Sequence, residues 1–258
     1  MVLAEAAFGA DPGRWPLPAA AMPHELWLRA VVAGGQGRYG SARADLAALR
    51  RVVRAGRLAS LAHSTHASFL RQLGGHADAR GWDGRALAIS QADTEARVDA
   101  MLGLAADAVG MHRADASVAL LERARALLDE PGLPERLAIR WHWVAAERAM
   151  LSGDGRAALG YAERAAELAA TTPSVRHRVK TDIVLAAALC SAGESERART
   201  VADDALVATG RLGLTPLQWA AASLLADIGS NVSGNADVRA VRESCADAVR
   251  RGGGVWYR

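Results

Sequence analysis

Two short stretches concentrate side chains able to do chemistry. In RWHWVAAERAM, residues 140 to 150, Arg140, Trp143 and Glu147 follow one another at intervals of three and four, which puts a cation, an aromatic surface and a carboxylate on one helix face. In VRHRVK, residues 175 to 180, Arg176 and Lys180 stand four apart with His177 and Arg178 beside them. Each stretch has two readings. Arg140, Trp143 and Glu147 form a binding surface, or Trp143 is core and its neighbours a solvated pair. The second cluster is an anion contact, or a solvated face bridging to the acids of a preceding element. Consecutive helical residues point about 100° apart, so Trp141, His142 and Trp143 cannot share one site.

Other constellations fall short of chemistry. His63 and His66, in HSTHAS, could share a helix face as two metal ligands, but no nearby carboxylate or cysteine completes a set, so no metal is expected. GGQGRYG, residues 34 to 40, does not follow a strand and reads as a helical turn. There is no nucleophile elbow and no Ser/His/Asp or Cys/His arrangement. No catalysis and no cofactor are therefore expected. Cys190 and Cys245 form no CxxC unit and read as reduced thiols.

The elements that must position these residues are helical. Of 258 residues, 51% are apolar, enough for a substantial core. Thirty-one basic against 28 acidic residues give a net charge of +3, which argues against a nucleic-acid surface. The N-terminus, MVLAEAAFGADPGRWPLP, lacks the basic start and apolar run of a signal peptide, and no stretch reaches the length of a membrane span. A cytoplasmic, soluble protein without membrane association is expected. Apolar residues recur at helical spacing between short Gly/Pro/Asp clusters, and Thr172-Pro173 and Thr215-Pro216 mark helix starts.

A repeat lies under the alanines. GDGRAALGYAERA, at 153 to 165, and GESERARTVADDA, at 193 to 205, share a glycine followed by alanine after five, nine and twelve residues. Stepping by about forty adds anchors at Gly37, Gly74, His112 and Ser233. Five residues after the anchors lie Ala42, Ala79, Ser117, Ala158, Ala198 and Val238; seven before them lie Ala30, Ala67, Ala105, Ala146, Ala186 and Ala226. Two antiparallel helices joined by a tight turn need a residue tolerant of positive φ at the turn and small residues where they approach most closely. Leu46, Leu49, Leu121, Leu127, Leu159 and Leu168 are expected to fill the rest of the interface. Helix pairs are placed at about 24 to 55, 58 to 90, 92 to 129, 134 to 170, 174 to 209 and 215 to 251. Residues 1 to 22 are left as an irregular segment and 252 to 258 as a Gly-rich aromatic tail.

In A146-x6-GDGRAA-x6-A165, A186-x6-GESERA-x6-A205 and A30-x6-GRYGSA, with Tyr39 at the turn, the chain resembles the tetratricopeptide-repeat family. Heavy use of alanine and arginine, with Lys180 the single lysine, fits a GC-rich actinobacterial genome. The resemblance implies an all-α, right-handed superhelical solenoid of about six antiparallel helix pairs, whose first helices line a concave face. Ten residues before the anchors, at the groove-facing position, lie Trp27, Ser64, Leu102, Trp143, Ile183 and Ser223. Lys180 takes in the fifth pair the place Arg140 holds in the fourth. Arg140, Trp143, Glu147, Lys180 and Trp27 are thus candidates to hold an extended peptide with a carboxylate, although the asparagines of the family's carboxylate clamp are absent.

The leading expectation is a non-enzymatic scaffold or adaptor that binds a protein or peptide partner. A ligand-sensing module of a regulatory system is the alternative, with RNA binding a weaker third. Val255, Trp256 and Tyr257 in the tail either cap the last repeat or bind a neighbouring molecule, a possible homodimer included. The N-terminal Trp15, Leu17 and Pro18 could lie in the chain's own groove.

Overall fold

The structure, a computed structural model, describes residues 1 to 257, among which there are thirteen helices and no strand. A short helix, α1 (Val2–Phe8), lies inside the segment expected to be irregular. Six helix pairs follow: α2 (Pro23–Gly35) with α3 (Tyr39–Val52), α4 (Arg57–Gln72) with α5 (His76–Ile89), and α6 (Thr94–Gly110) with α7 (Ala114–Arg125). Then come α8 (Arg136–Leu151) with α9 (Gly155–Thr171), α10 (Val175–Ser191) with α11 (Ser195–Arg211), and α12 (Thr215–Ile228) with α13 (Asn235–Arg251). Several starts carry local signals. Pro23 and Pro216 occupy first turns, and the Asp93 and Asp154 carboxylates accept hydrogen bonds from Ala96 N (2.8 Å) and Ala157 N (3.0 Å).

The turns inside the first five pairs share one conformation. Gly37, Gly74, His112, Gly153 and Gly193 all have left-handed φ, from 57° at His112 to 89° at Gly74. The sixth pair departs from this pattern. Its left-handed residue is Gly229 rather than a position at Ser233, and a longer loop leads into α13.

The small residues flanking these turns lie where the paired helices touch. Ala42, Ala79, Ser117, Ala158, Ala198 and Val238 are fully buried, as are Ala30, Ala67, Ala105, Ala146 and Ala186; only Ala226 of the two rows is half-buried. A methyl group there lets helix axes approach closely, and a larger side chain would have to displace backbone. Leu46, Leu49 and Leu121 fill the interface as expected, whereas Leu127, Leu159 and Leu168 are only half-buried.

Between pairs, the first helices pack in sequence: α2 on α4, α4 on α6, α6 on α8, α8 on α10 and α10 on α12. The series then returns, because α12 also touches α2. Two straps hold the ends together. On one side the N-terminal segment crosses from the first pair to the fifth: Gln36 Nε2 donates to Pro12 O (2.9 Å) and Arg14 O (3.0 Å), and Val175 N donates to Gly9 O (3.1 Å). On the other, the C-terminal tail crosses from the sixth pair to the first and second. Gly40 N donates to Gly252 O (2.7 Å), Arg43 Nη2 to Gly253 O (2.6 Å), and Tyr257 N to Leu73 O (2.9 Å).

Candidate functional site

Closure of the inner helices leaves a central chamber of about 460 Å³, lined from all six of them and from α1. Two tryptophans form its aromatic wall, and each is fixed in the same way. Trp27 Nε1 donates to Thr65 Oγ1 (3.0 Å) and Trp143 Nε1 to Thr181 Oγ1 (2.9 Å), in both cases to a threonine 38 residues onward on the next inner helix. Their indole N–H groups are thereby satisfied in the wall, and the ring faces are left for packing.

Phe8 at the end of α1 completes the aromatic arc. Its ring centroid lies 5.5 Å from that of Trp27 and 6.1 Å from that of His177, and His177 in turn stacks on Trp143 at 5.5 Å. His177 Nδ1 shares a 2.7 Å hydrogen bond with Ser174 Oγ. Burial and the surrounding cations hold the imidazole well below its usual pKa, so it is neutral at physiological pH.

The rest of the lining is charged. Arg71 donates to Asp83 Oδ2 (2.7 Å) and Asp107 Oδ1 (2.6 Å), two carboxylates with no exposed side-chain surface. Desolvation, reinforced by repulsion from Asp107, raises the Asp83 pKa despite the guanidinium beside it. Arg136 bridges Glu95 (2.5 Å) and Asp99 (3.0 Å), Arg57 also holds Glu95 (2.5 Å), and Arg140 donates to Asp99. Arg176 and Lys180, one turn apart on α10, have no hydrogen bond or ion pair with any described residue. Lys180 Nζ sits 4.6 Å from the centre of the Trp143 ring, a cation–π contact. Burial together with neighbouring cations lowers the pKa of Lys180 and brings those of Arg140 and Arg176 down to about 10, leaving both arginines charged at neutral pH. All three line the chamber and are half-buried.

Arg140, Trp143, Glu147, Lys180 and Trp27 thus all line one chamber. Trp143 is only 5% exposed, so it serves the core and the chamber wall at once. Of the other groove-facing positions, Ser64 lines the chamber, Leu102 is fully buried, and neither Ile183 nor Ser223 reaches it. In the cluster at 175 to 180, Arg176, His177 and Lys180 point inward rather than forming a solvated face. Arg178 alone turns away, donating to Thr172 O (2.5 Å). Phe8, Arg71, Asp99 and Arg136 have no distinguishing sequence signal. They enter the chamber through chain crossings and ion pairs between successive inner helices.

Trp15 lies outside under Arg38, whose guanidinium carbon is 4.0 Å from the ring centre, so the residue that enters the chamber from the N-terminal segment is Phe8. His63 and His66 pack on Trp82 instead, His66 stacked at 4.1 Å, and no group of three or more metal-ligating side chains occurs among the described residues. In the tail, Trp256 packs on Trp219 (4.4 Å) and Tyr257 OH donates to Asp78 (2.9 Å), while Val255 is exposed. No helix among the described residues is long and apolar enough to cross a membrane. No family model matches the chain, and no curated protein is significantly similar to it.

Proposed function

We propose that this chain is a ligand-sensing module, without catalytic activity or a bound cofactor, whose central chamber takes a small molecule and whose occupancy is read by a separate partner. The six helix pairs are taken as tetratricopeptide-like units wound right-handed through a single turn. The concave face then becomes a recessed chamber, partly open to solvent, instead of an extended groove. The observation that supports this most directly is the closure itself: α12 touches α2, two straps span the junction, and about 460 Å³ remains inside. Small-molecule sites are typically about 300–1,000 Å³, apolar in the main, with a few convergent polar groups.

A scaffold that holds a protein or peptide partner is the second reading, favoured by the repeat architecture and by Arg140, Trp143, Glu147, Lys180 and Trp27 sharing one concave surface. It needs the junction to open wide enough for an extended chain to enter. Thermal unfolding against a collection of small metabolites and short peptides separates the two. A ligand at 100 times its Kd contributes about 2.7 kcal/mol, and a saturable rise of several degrees from a small molecule is expected. If no small molecule shifts the transition, and a protein partner is retained by the wild type but lost by a folded Arg140→Glu/Trp143→Ala variant, the scaffold reading stands instead.

A further inference from the structure

We infer that the ligand of the chamber is a small organic monocarboxylate with an aromatic or aliphatic body. Its carboxylate is received by Arg176 and Lys180, and its body lies against Trp27, Trp143 and Phe8. This rests on the chamber being a small-molecule site.

The charge pattern carries the inference. Arg71 faces two carboxylates, Asp83 and Asp107. Arg57, Arg136 and Arg140 share two, Glu95 and Asp99. Arg176 and Lys180 have one acid near them, Glu147, which forms no ion pair with either. Among the described residues, six cations against five carboxylates leave one positive charge uncompensated, and it falls on α10. A cation held out of bulk water without a partner is costly, and the cost is offset when an anion arrives. Both side chains stand on one helix face four residues apart, the spacing at which two donors converge on one group. The first pair packs closely on this side chain at Gly35, where a methyl group would come to 3.3 Å from Arg176 Cδ and Nη1.

Glu147 decides the number of charges. It lines the same chamber as Lys180 and Arg140, and it would repel a second anionic group. One uncompensated charge beside a fixed acid suits a monoanion better than a dicarboxylate or a phosphate monoester. The lining beside these cations is apolar: Phe8, Trp27, Val31, Trp143, Val144 and Leu217 contribute no unpaired donor, which suits an aromatic or alkyl body.

The test is isothermal titration of the full chain with two homologous series, straight-chain alkanoates and ω-phenylalkanoates of two to ten carbons. Each member is matched to its primary amide and its amine, with phenyl phosphate as a further arm. Binding is expected from at least one acid, at least tenfold tighter than its amide. Arg176→Gln and Arg176→Gln/Lys180→Met should each lose that acid by tenfold or more while keeping the helical circular-dichroism signal. Arg164→Gln, on the exposed surface, should bind as wild type does. A folded variant that binds the acid unchanged overturns the assigned position. Amides or amines binding as well as acids, or phenyl phosphate binding better, overturn the ligand class but leave the small-molecule chamber standing. If no member of any series binds below millimolar concentration, the inference falls. A small metabolite that still raises the melting temperature would then preserve the sensing function, and its absence would remove that as well.

Discussion

Replacing Arg176 by methionine should stabilise the empty protein. The side chain carries a charge with no described partner in the lining of a partly open chamber, 6.0 Å from the Phe8 ring centre and close to Gly35. Removing an unpaired charge from a dry interior is worth several kcal/mol. The chamber can admit water, so about 1–2 kcal/mol is expected here. Methionine keeps most of the aliphatic stem and its packing. For a chain of this size, each kcal/mol moves the midpoint by about 2–4 °C, so the melting temperature should rise by about 2–8 °C.

Arg71→Met is the matched opposite. It strands Asp83 and Asp107, which have no exposed side-chain surface, and breaking such a buried pair costs about 3–5 kcal/mol. Thermal and urea melts followed by circular dichroism, without added ligand, read both. If Arg176→Met lowers stability as much as Arg71→Met does, Arg176 has a structural partner and the uncompensated charge on α10 is refuted.

Further predictions concern packing, the tail and pH. Gly34→Ala places a methyl group 2.5 Å from Phe69 Cζ, on a ring already held edge-on by Tyr39 at 5.4 Å. It should cost about 1–3 kcal/mol in a urea melt. Gly81→Ala and Gly84→Ala, on α5 with open space beside them, should instead gain about 0.5–1 kcal/mol each. Trp256→Ala should cost about 1–3 kcal/mol and speed hydrogen exchange in α2 and α12. Deleting residues 252 to 258 should leave the mass seen by light scattering unchanged, because the tail docks on its own chain; a fall in mass would reveal a tail-mediated dimer instead.

His177 is neutral in the fold and its pKa is depressed, so below about pH 6.5 the unfolded chain takes up a proton that the folded one refuses. Stability should therefore fall as pH drops from 7 to 5, by about 2 kcal/mol from this residue. His66 and His142, both brought down to about 4 chiefly by desolvation, act in the same direction, while the raised Asp83 opposes them. Comparison with His177→Gln over this range isolates the effect: the variant's stability should depend less on pH, and an unchanged slope would contradict the assignment.

The helix pairs were legible because alanine, unlike leucine, records where two helices touch. With the anchors fixed, Ala146, Ala186 and Ala30 located the interfaces, and even His112, the least glycine-like anchor, takes the left-handed turn. The sixth pair was less legible because its turn is longer, so Ser233 inherits a register that Gly229 in fact serves. The site was half legible. Arg140, Trp143 and Glu147 follow helical periodicity, but a constant offset put Ile183 in the groove where the rotation of α10 presents His177 and Lys180. Closure had no local signal. It depends on the accumulated rotation of six pairs and on two terminal straps, and spacing within a repeat carries neither.

The central claim is tested most directly by a crystal structure of the full chain grown with 3-(4-iodophenyl)propanoate, using the anomalous signal of iodine to locate the ligand. An iodine peak inside the ring between Trp27 and Trp143, with the carboxylate on Arg176 and Lys180, is the predicted result. Iodine bound only on the outer surface, or in a chamber whose carboxylate density avoids α10, would contradict it.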